Sequence, residues 1–433
     1  MSPVLPFEII TLIIDVVGEN EDIDLLKELA LVSHSFLQIC SKHIFATIVL
    51  GDGYAYSSRS KKGFVKLLKS RPEIVKYIRK FTYNLFDNIP SFVVDRDRFI
   101  SSILPNFLRS IPHLNCLIIT SGSILEVDWK KVDSSLTSTL LHLMHLPTIN
   151  RVVLSSIENF PLSSLIPCVN LLRLEVFLMS PDDDSFEIVP SEMMPKLRDF
   201  RTESSSLLTR KLLHVKMQDG RPAFNPINLR RLSFGAEKLE DNSKLRFLLQ
   251  NAKLLEDLRL PNGLGQSIVG LHDILSPTAC TLKVLYFTSS FLFQHSIFDV
   301  STPARQLCEE LEAMARHNVL ETLSYTITMS SSENTEDDAD DFIGTIIQKV
   351  VGVLIKPGWS ALRLVFFTVF HHAWRDSDRK NLEALQSLTD KCLSHILKLE
   401  SESVRVTFHC VRKSDYFDYC TVPADPRLLE PNV

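Results

Sequence analysis

The stretches Leu229-Arg230-Arg231-Leu232-Ser233-Phe234, Leu255-Glu256-Asp257-Leu258-Arg259-Leu260 and Leu282-Lys283-Val284-Leu285-Tyr286-Phe287 repeat one pattern: apolar, two variable residues, apolar, one variable residue, apolar. Its last two apolar positions stand two apart, the spacing that puts side chains on one face of a β-strand. Upstream the pattern recurs as Ile78-x-x-Phe81-x-Tyr83, Leu114-x-x-Leu117-x-Ile119, Ile149-x-x-Val152-x-Leu154, Leu171-x-x-Leu174-x-Val176 and Leu197-x-x-Phe200-x-Thr202. Downstream it continues as Leu320-x-x-Leu323-x-Tyr325 and Leu362-x-x-Val365-x-Phe367. Ten copies point to a repeat fold, in which one unit cannot bury its apolar face alone and stacked neighbours can.

Three copies follow a proline by two residues, at Pro112, Pro147 and Pro195. Proline there ends the preceding segment without removing a ladder hydrogen bond from the strand. Between copies lie segments with helical period. Ser301-Thr302-Pro303 opens one with Leu307, Leu311 and Met314 on a face; Asp341-Phe342 leads into Ile346, Ile347, Val350, Val351 and Leu354; Asn381 begins Leu382, Leu385, Cys392, Leu393 and Ile396. Strand followed by helix, repeated, predicts an α/β architecture: a parallel sheet on one side, helices on the other, stacked as a curved solenoid. The array resembles leucine-rich repeats, whose units run about 20 to 29 residues. Here successive copies start 22 to 42 residues apart, and the Asn or Cys turn position of the standard repeat is mostly absent. The solenoid is expected over residues 51–412, with 413–433 as a proline-containing tail.

Residues 1–50 read as a separate all-α module of three short helices. Ile9, Ile10, Ile13, Ile14 and Val17 keep one helical period; Leu25, Leu26, Leu29 and Val32 a second; Phe36, Ile39 and Cys40 a third. Pro6 suits a first-turn position, Gly18 and the acidic residues after it break the first helix from the second, and Ser33 caps the third. Roughly 45 residues bury too little surface to stand alone, so the module leans on the rest of the chain or on another protein.

The order Leu5-Pro6-x-Glu8-Ile9-Ile10, an acidic loop, Leu29-Ala30-Leu31-Val32-Ser33-x-x-Phe36 and His43-Ile44-Phe45 resembles the F-box, particularly its divergent fungal forms. The resemblance covers about a tenth of the chain. It departs from the common pattern at Phe36 and Phe45, where tryptophans are frequent, and at His34, where a basic residue is usual. It implies that Leu5, Pro6, Ile9, Ile10, Leu29, Val32 and Phe36 face the Skp adaptor subunit of a cullin-RING ubiquitin ligase. Apolar faces on short helices suit such groove docking, where a few buried anchors carry most of the affinity. The pairing of this module with a repeat array strengthens the resemblance. The alternative is a helical cap on the first repeat.

Composition narrows the rest. An apolar fraction of 45% over 433 residues excludes a mainly disordered chain and fits two or three domains or one long array. A net charge of -5 argues against nucleic acid as partner, and only 13 glycines argue against nucleotide-binding loops. Eight cysteines without a Cys-x-x-Cys pair read as buried hydrophobes in a reduced compartment. The N-terminus carries no signal-peptide pattern, and the apolar run from Leu362 to Phe370 is too short for a bilayer, so a soluble cytoplasmic or nuclear protein is expected. His142 with His145, and His371 with His372, lack further ligands at metal spacing, and no nucleophile motif is present. Nine Lys/Arg against one Glu between Arg59 and Lys80 read as a solvated helix face, with an acidic-partner patch as the alternative. The acidic residues between Glu333 and Asp341 read as an exposed insertion. The expectation is therefore a non-enzymatic F-box-like substrate receptor that uses no cofactor or metal, its helices on the Skp adaptor and cullin ligase and its repeats on a target protein. The rival is a repeat scaffold with no link to ubiquitin.

Overall fold

The structure is a computed structural model that describes residues 6–20, 22–51, 57–85, 104–121, 126–182, 195–214, 224–235, 241–261, 270–293, 301–315, 318–331, 336–373 and 404–413. The chain divides into two units, Met1–Leu229 and Arg230–Val433.

The first unit opens with α1 (Phe7–Glu19), α2 (Ile23–Ala30) and α3 (His34–Ile44). Asp22 caps α2 by accepting from the Leu25 N–H at 3.1 Å, and Ser33 caps α3 through Phe36 N–H at 3.3 Å. Pro6 stands just ahead of α1, and its carbonyl accepts from Ile9 and Ile10. Strands follow: β1 (Thr47–Leu50), β2 (Lys80–Asn84), β3 (Cys116–Thr120), β4 (Val127–Asp128), β5 (Arg151–Phe160), β6 (Arg173–Pro181) and β7 (Asp199–Glu203). They pair in parallel in the order β1-β2-β3-β5-β6-β7, and β4 adds to β5. Between them lie α4 (Ser57–Ser70), α5 (Ser134–Met144) and, after β7, α6 (Ser206–His214).

The second unit repeats the plan. Its strands are β8 (Arg231–Phe234), β9 (Asp257–Leu260), β10 (Val284–Phe293), β11 (Thr322–Ser331), β12 (Leu364–Ala373) and β13 (Arg405–Lys413), each parallel to the next. Its helices are α7 (Asp241–Asn251), α8 (Leu271–Leu275), α9 (Ser301–Met314) and α10 (Glu336–Leu354). Both units therefore show the expected leucine-rich-repeat-like α/β plan, with strands paired in chain order and no antiparallel pairing among the described residues.

One backbone device recurs at the strand starts. A single carbonyl at the second position of the repeat accepts two N–H groups from the next one: Arg79 from Asn115 and Cys116, Asn115 from Asn150 and Arg151, Glu256 from Lys283 and Val284, Lys283 from Glu321 and Thr322. This fixes register at each joint, and register matters because a slip of one residue would turn every buried side chain outward. The apolar positions then align across strands. Phe81, Leu117, Val152, Leu174 and Phe200 form one buried row, and Leu232, Leu258, Leu285, Leu323 and Val365 another. The helices cover this face: Thr209 of α6 meets Thr202 of β7 hydroxyl to hydroxyl at 3.1 Å.

All ten sequence copies map to strands, and the structure adds two. Phe45-x-x-Ile48-x-Leu50 forms β1, in register with the Ile78 copy. Val406 and Phe408 of β13 continue the apolar row beside Val365 and Phe367, in a copy whose first position is Ser403 instead of an aliphatic residue.

Other expectations change. Residues 336–341, expected in an exposed insertion, are the first turns of α10. Carboxylates are favoured there by the unpaired N–H groups of a helix start, and the apolar run behind them anchors the helix. Gly18 lies inside α1, and the break falls after Glu19. Cys40, Cys116 and Cys168 are buried as expected, but Cys280 is exposed. The helix expected from Asn381, the tail beyond residue 413 and Cys392 and Cys420 lie outside the described residues.

Two side chains close helix ends across the second unit. Glu310 of α9 accepts from the Gly270 and His272 N–H groups, both at 2.7 Å, and so caps α8 from another element. Asn318 donates to the Met314 and Ala315 carbonyls at 2.9 and 3.0 Å, finishing α9 before β11.

Candidate interaction surfaces

Helix α1 carries two apolar stripes. Ile10, Ile14 and Val17 point inward, where Ile14, Leu26 and Cys40 form a small core closed by Ile23, Leu29, Phe36, Ile39 and Ile44. Asp15 ties α1 to α3, accepting from Lys42 at 2.6 Å and meeting His43 at 2.7 Å. Lys42 and His43 hold the Asp15 carboxyl below the usual value against the opposing effect of burial. The His43 ring reaches Asp15 by lying against the backbone at Gly18, where an added Cβ would stand 2.2 Å from its Nδ1. That is the structural reason for glycine in this helix.

The second stripe is Ile9, Leu12, Ile13 and Val16, spaced i, i+3, i+4 and i+7 on the opposite side. All four are exposed, Leu12 at 64%. Phe7 and Leu25 are exposed as well, and the turn between α2 and α3 adds Leu31 at 87% and Val32 at 67%. Nothing in the described residues covers this stripe.

The residues that the F-box resemblance assigns to the adaptor fall into three groups. Pro6, Ile9 and Val32 are exposed; Ile10, Leu29 and Phe36 are half-buried against Ile14, Leu26 and Cys40; Leu5 lies outside the described residues. Sequence reasoning left out Leu12, Val16, Phe7 and Leu31. The signal for the first two was present, because 9, 12, 13 and 16 make a second helical period on a helix whose first period already fills its core.

The strand face away from the helices is the second surface. On the first unit its rows run Lys80, Cys116, Arg151, Arg173, Asp199; then Thr82, Ile118, Val153, Glu175, Arg201; then Asn84, Thr120, Ser155, Phe177, Glu203. Glu175, only 5% exposed, accepts from Arg151 and Arg173 together, at 2.7 and 2.8 Å on one oxygen. Arg201 lies over the Phe177 ring at 4.8 Å. Burial pushes the Cys116 thiol up despite Arg151, Lys80 and Arg173 around it, and pushes Cys168 up to about 12, so both stay protonated hydrophobes. Just beyond the third row, Ser156, Leu178 and Ser204 all adopt left-handed backbone, at φ 56°, 48° and 50°. Ser156 lies in β5, Leu178 in β6 and Ser204 directly after the last residue of β7, so the backbone kinks away from the extended form at neighbouring points, at about 1 to 2 kcal/mol of strain each.

The corresponding face of β10, β11 and β12 is uncharged over two rows: Tyr286, Ser324 and Phe366, then Thr288, Thr326 and Thr368. His145, one of the histidines noted in the sequence, bonds the Ser164 carbonyl at 2.8 Å. Among the described residues there is no group of three His, Cys, Asp or Glu able to hold a metal ion, and no helix long and apolar enough to cross a membrane.

No protein-family description matches this chain, and no curated protein matches it. Among solved structures it is similar to an internalin from Listeria monocytogenes, at 13% identity and a TM-score of 0.31, over 78% of this chain and 68% of that one.

Proposed function

We propose that the chain is a protein-recognition scaffold, its strand array holding a target and its N-terminal helices docking it to a second protein, with no covalent chemistry of its own. The observation that carries this reading is the bare stripe Ile9, Leu12, Ile13 and Val16 on a helix whose opposite stripe already completes the local core. An aliphatic stripe at this spacing is the form in which one helix enters the groove of another protein. The F-box resemblance names that protein as the Skp adaptor of a cullin-RING ligase. The chain would then act through effective concentration and orientation, holding a target lysine near the conjugating enzyme.

Co-expression with the Skp adaptor of its own organism tests this. The tagged native chain is expected to retain the adaptor, and an Ile9→Ala, Leu12→Ala, Ile13→Ala variant with native circular dichroism to lose it, each anchor contributing about 1 to 3 kcal/mol. A native chain that retains no adaptor sinks the ubiquitin reading and leaves a scaffold whose helices dock elsewhere.

A further inference from the structure

We propose that the strand face of β2, β3, β5 and β6 seats an acidic segment of the target protein, its carboxylates set among Lys80, Arg151 and Arg173. The inference rests on the reading that the strand array holds a target, and it names that target's chemistry.

The positions come from the ladder. Lys80, Cys116, Arg151 and Arg173 stand in one register on four successive strands. Three of the four are cations, and the fourth is a small buried thiol that leaves the space above it to its neighbours. Glu175 is the one carboxylate on these strands ahead of the kink, and its single oxygen serves both guanidiniums. One negative charge shared between two arginines, with Lys80 in the same row on the far side of Cys116, leaves the row net positive. Asp199 and Glu203 bound it on β7, so the excess is confined to β2 through β6. Arg151 and Arg173 keep about a third of their side chains exposed, at 33% and 38%, and can turn donors outward while Glu175 holds their stems.

A protein carboxylate fits this face better than a nucleic acid. Single strands bind through bases stacked on aromatic rings, and the second and third rows of β2, β3 and β5 offer Thr82, Ile118, Val153, Asn84, Thr120 and Ser155. The one aromatic on this face, Phe177, is covered by Arg201. The chain as a whole carries -5, so it repels polyanions at long range, and retention of one requires a local patch.

The test uses the full chain and a labelled short poly-glutamate peptide, with poly-lysine and a single-stranded oligodeoxynucleotide as comparison probes, followed by fluorescence anisotropy at low salt. Poly-glutamate is expected to bind, poly-lysine not to bind, and added salt to weaken the complex. Lys80→Gln, which removes one half-exposed charge, weakens it about threefold. Glu175→Gln keeps an acceptor for the arginines but removes the competing charge, and strengthens binding about threefold. No binding of poly-glutamate, or equal binding by the native, Lys80→Gln and Glu175→Gln chains, overturns the proposal. Tighter binding of the oligonucleotide than of poly-glutamate also overturns it, assigning the face to phosphate. An Ile13→Glu chain is expected to bind poly-glutamate normally while losing the adaptor, so failure of the peptide test and failure of adaptor docking are read separately.

Discussion

The helices threaded between the strands and the helices of the N-terminal module are built from the same aliphatic residues, yet they end in opposite states. In α7, Leu245, Leu248 and Leu249 are fully buried, as are Ile346, Ile347 and Val350 of α10. In α1, one stripe is buried and a second, equally regular, faces out. The repeat helices lay most of their apolar residues on the strand rows, with single exceptions such as Leu207 of α6 and Phe247 of α7. A module at the first strand has only its own three helices, and their core is complete with the inner stripe. The difference teaches that burial among the described residues accounts for the leucines of α7 and the aliphatic residues of α10 but not for the second stripe of α1, which is the stripe we propose to be a docking face.

This contrast can be broken at its buried side. Leu258→Ala empties a fully buried site in β9 and is expected to cost about 3 to 5 kcal/mol in urea unfolding, whereas Leu12→Ala on the outer stripe shifts stability by less than about 0.5 kcal/mol. Similar losses at the two positions would show that the outer stripe is packed in solution, and the contrast would fail. Next in size is Glu310→Ala, which strips two N–H groups at the start of α8 of their acceptor; a loss of about 2 kcal/mol in the same experiment is expected.

Gly18→Ala sharpens the account within the module. Glycine to alanine inside a helix ordinarily gains up to about 1 kcal/mol, but here the new methyl meets the His43 ring. The variant is expected to lose about 1 kcal/mol and to break the Asp15 pair, visible as altered His43 resonances; a stabilised variant would contradict the packing described. The smallest effect is acid dependence. The Asp15 carboxyl titrates below its unfolded value of 3.8, so its contribution is present above that pH and disappears as pH falls through the lowered folded value. Melting curves of the native and Asp15→Asn chains are expected to differ at neutral pH and to converge as pH falls through the lowered folded value. A constant difference would assign the loss to packing.

Most of the strand array was legible because its signal is both local and repeated: each copy places two apolar residues two apart, and ten copies average out individual exceptions. The copies that escaped did so for identifiable reasons. Phe45-x-x-Ile48-x-Leu50 overlaps the end of the helical pattern, and the last copy opens on Ser403. The acidic start of α10 misled because its charge resembles a loop, while its meaning depends on the apolar run after it. The proposed docking residues were half legible. Helical period identifies which residues of α1 are apolar, but which stripe faces in is decided by α2 and α3, through contacts that sequence spacing does not contain. Thus Ile10, Leu29 and Phe36 turn toward Ile14, Leu26 and Cys40, while Leu12 and Val16 turn out. The charged strand face was the least visible, since Lys80, Arg151 and Arg173 are far apart in the chain and meet only through register.

The central claim is that the outer stripe of α1 exists to be covered by another protein. Calorimetric titration of purified Skp adaptor into the native chain and into a Leu12→Asp, Val16→Asp variant tests it most directly. The account predicts a saturable complex with the native chain, a negative heat-capacity change from apolar burial, and at least about a hundredfold weaker binding by a variant that melts like the native protein. Equal affinity for both chains would contradict it.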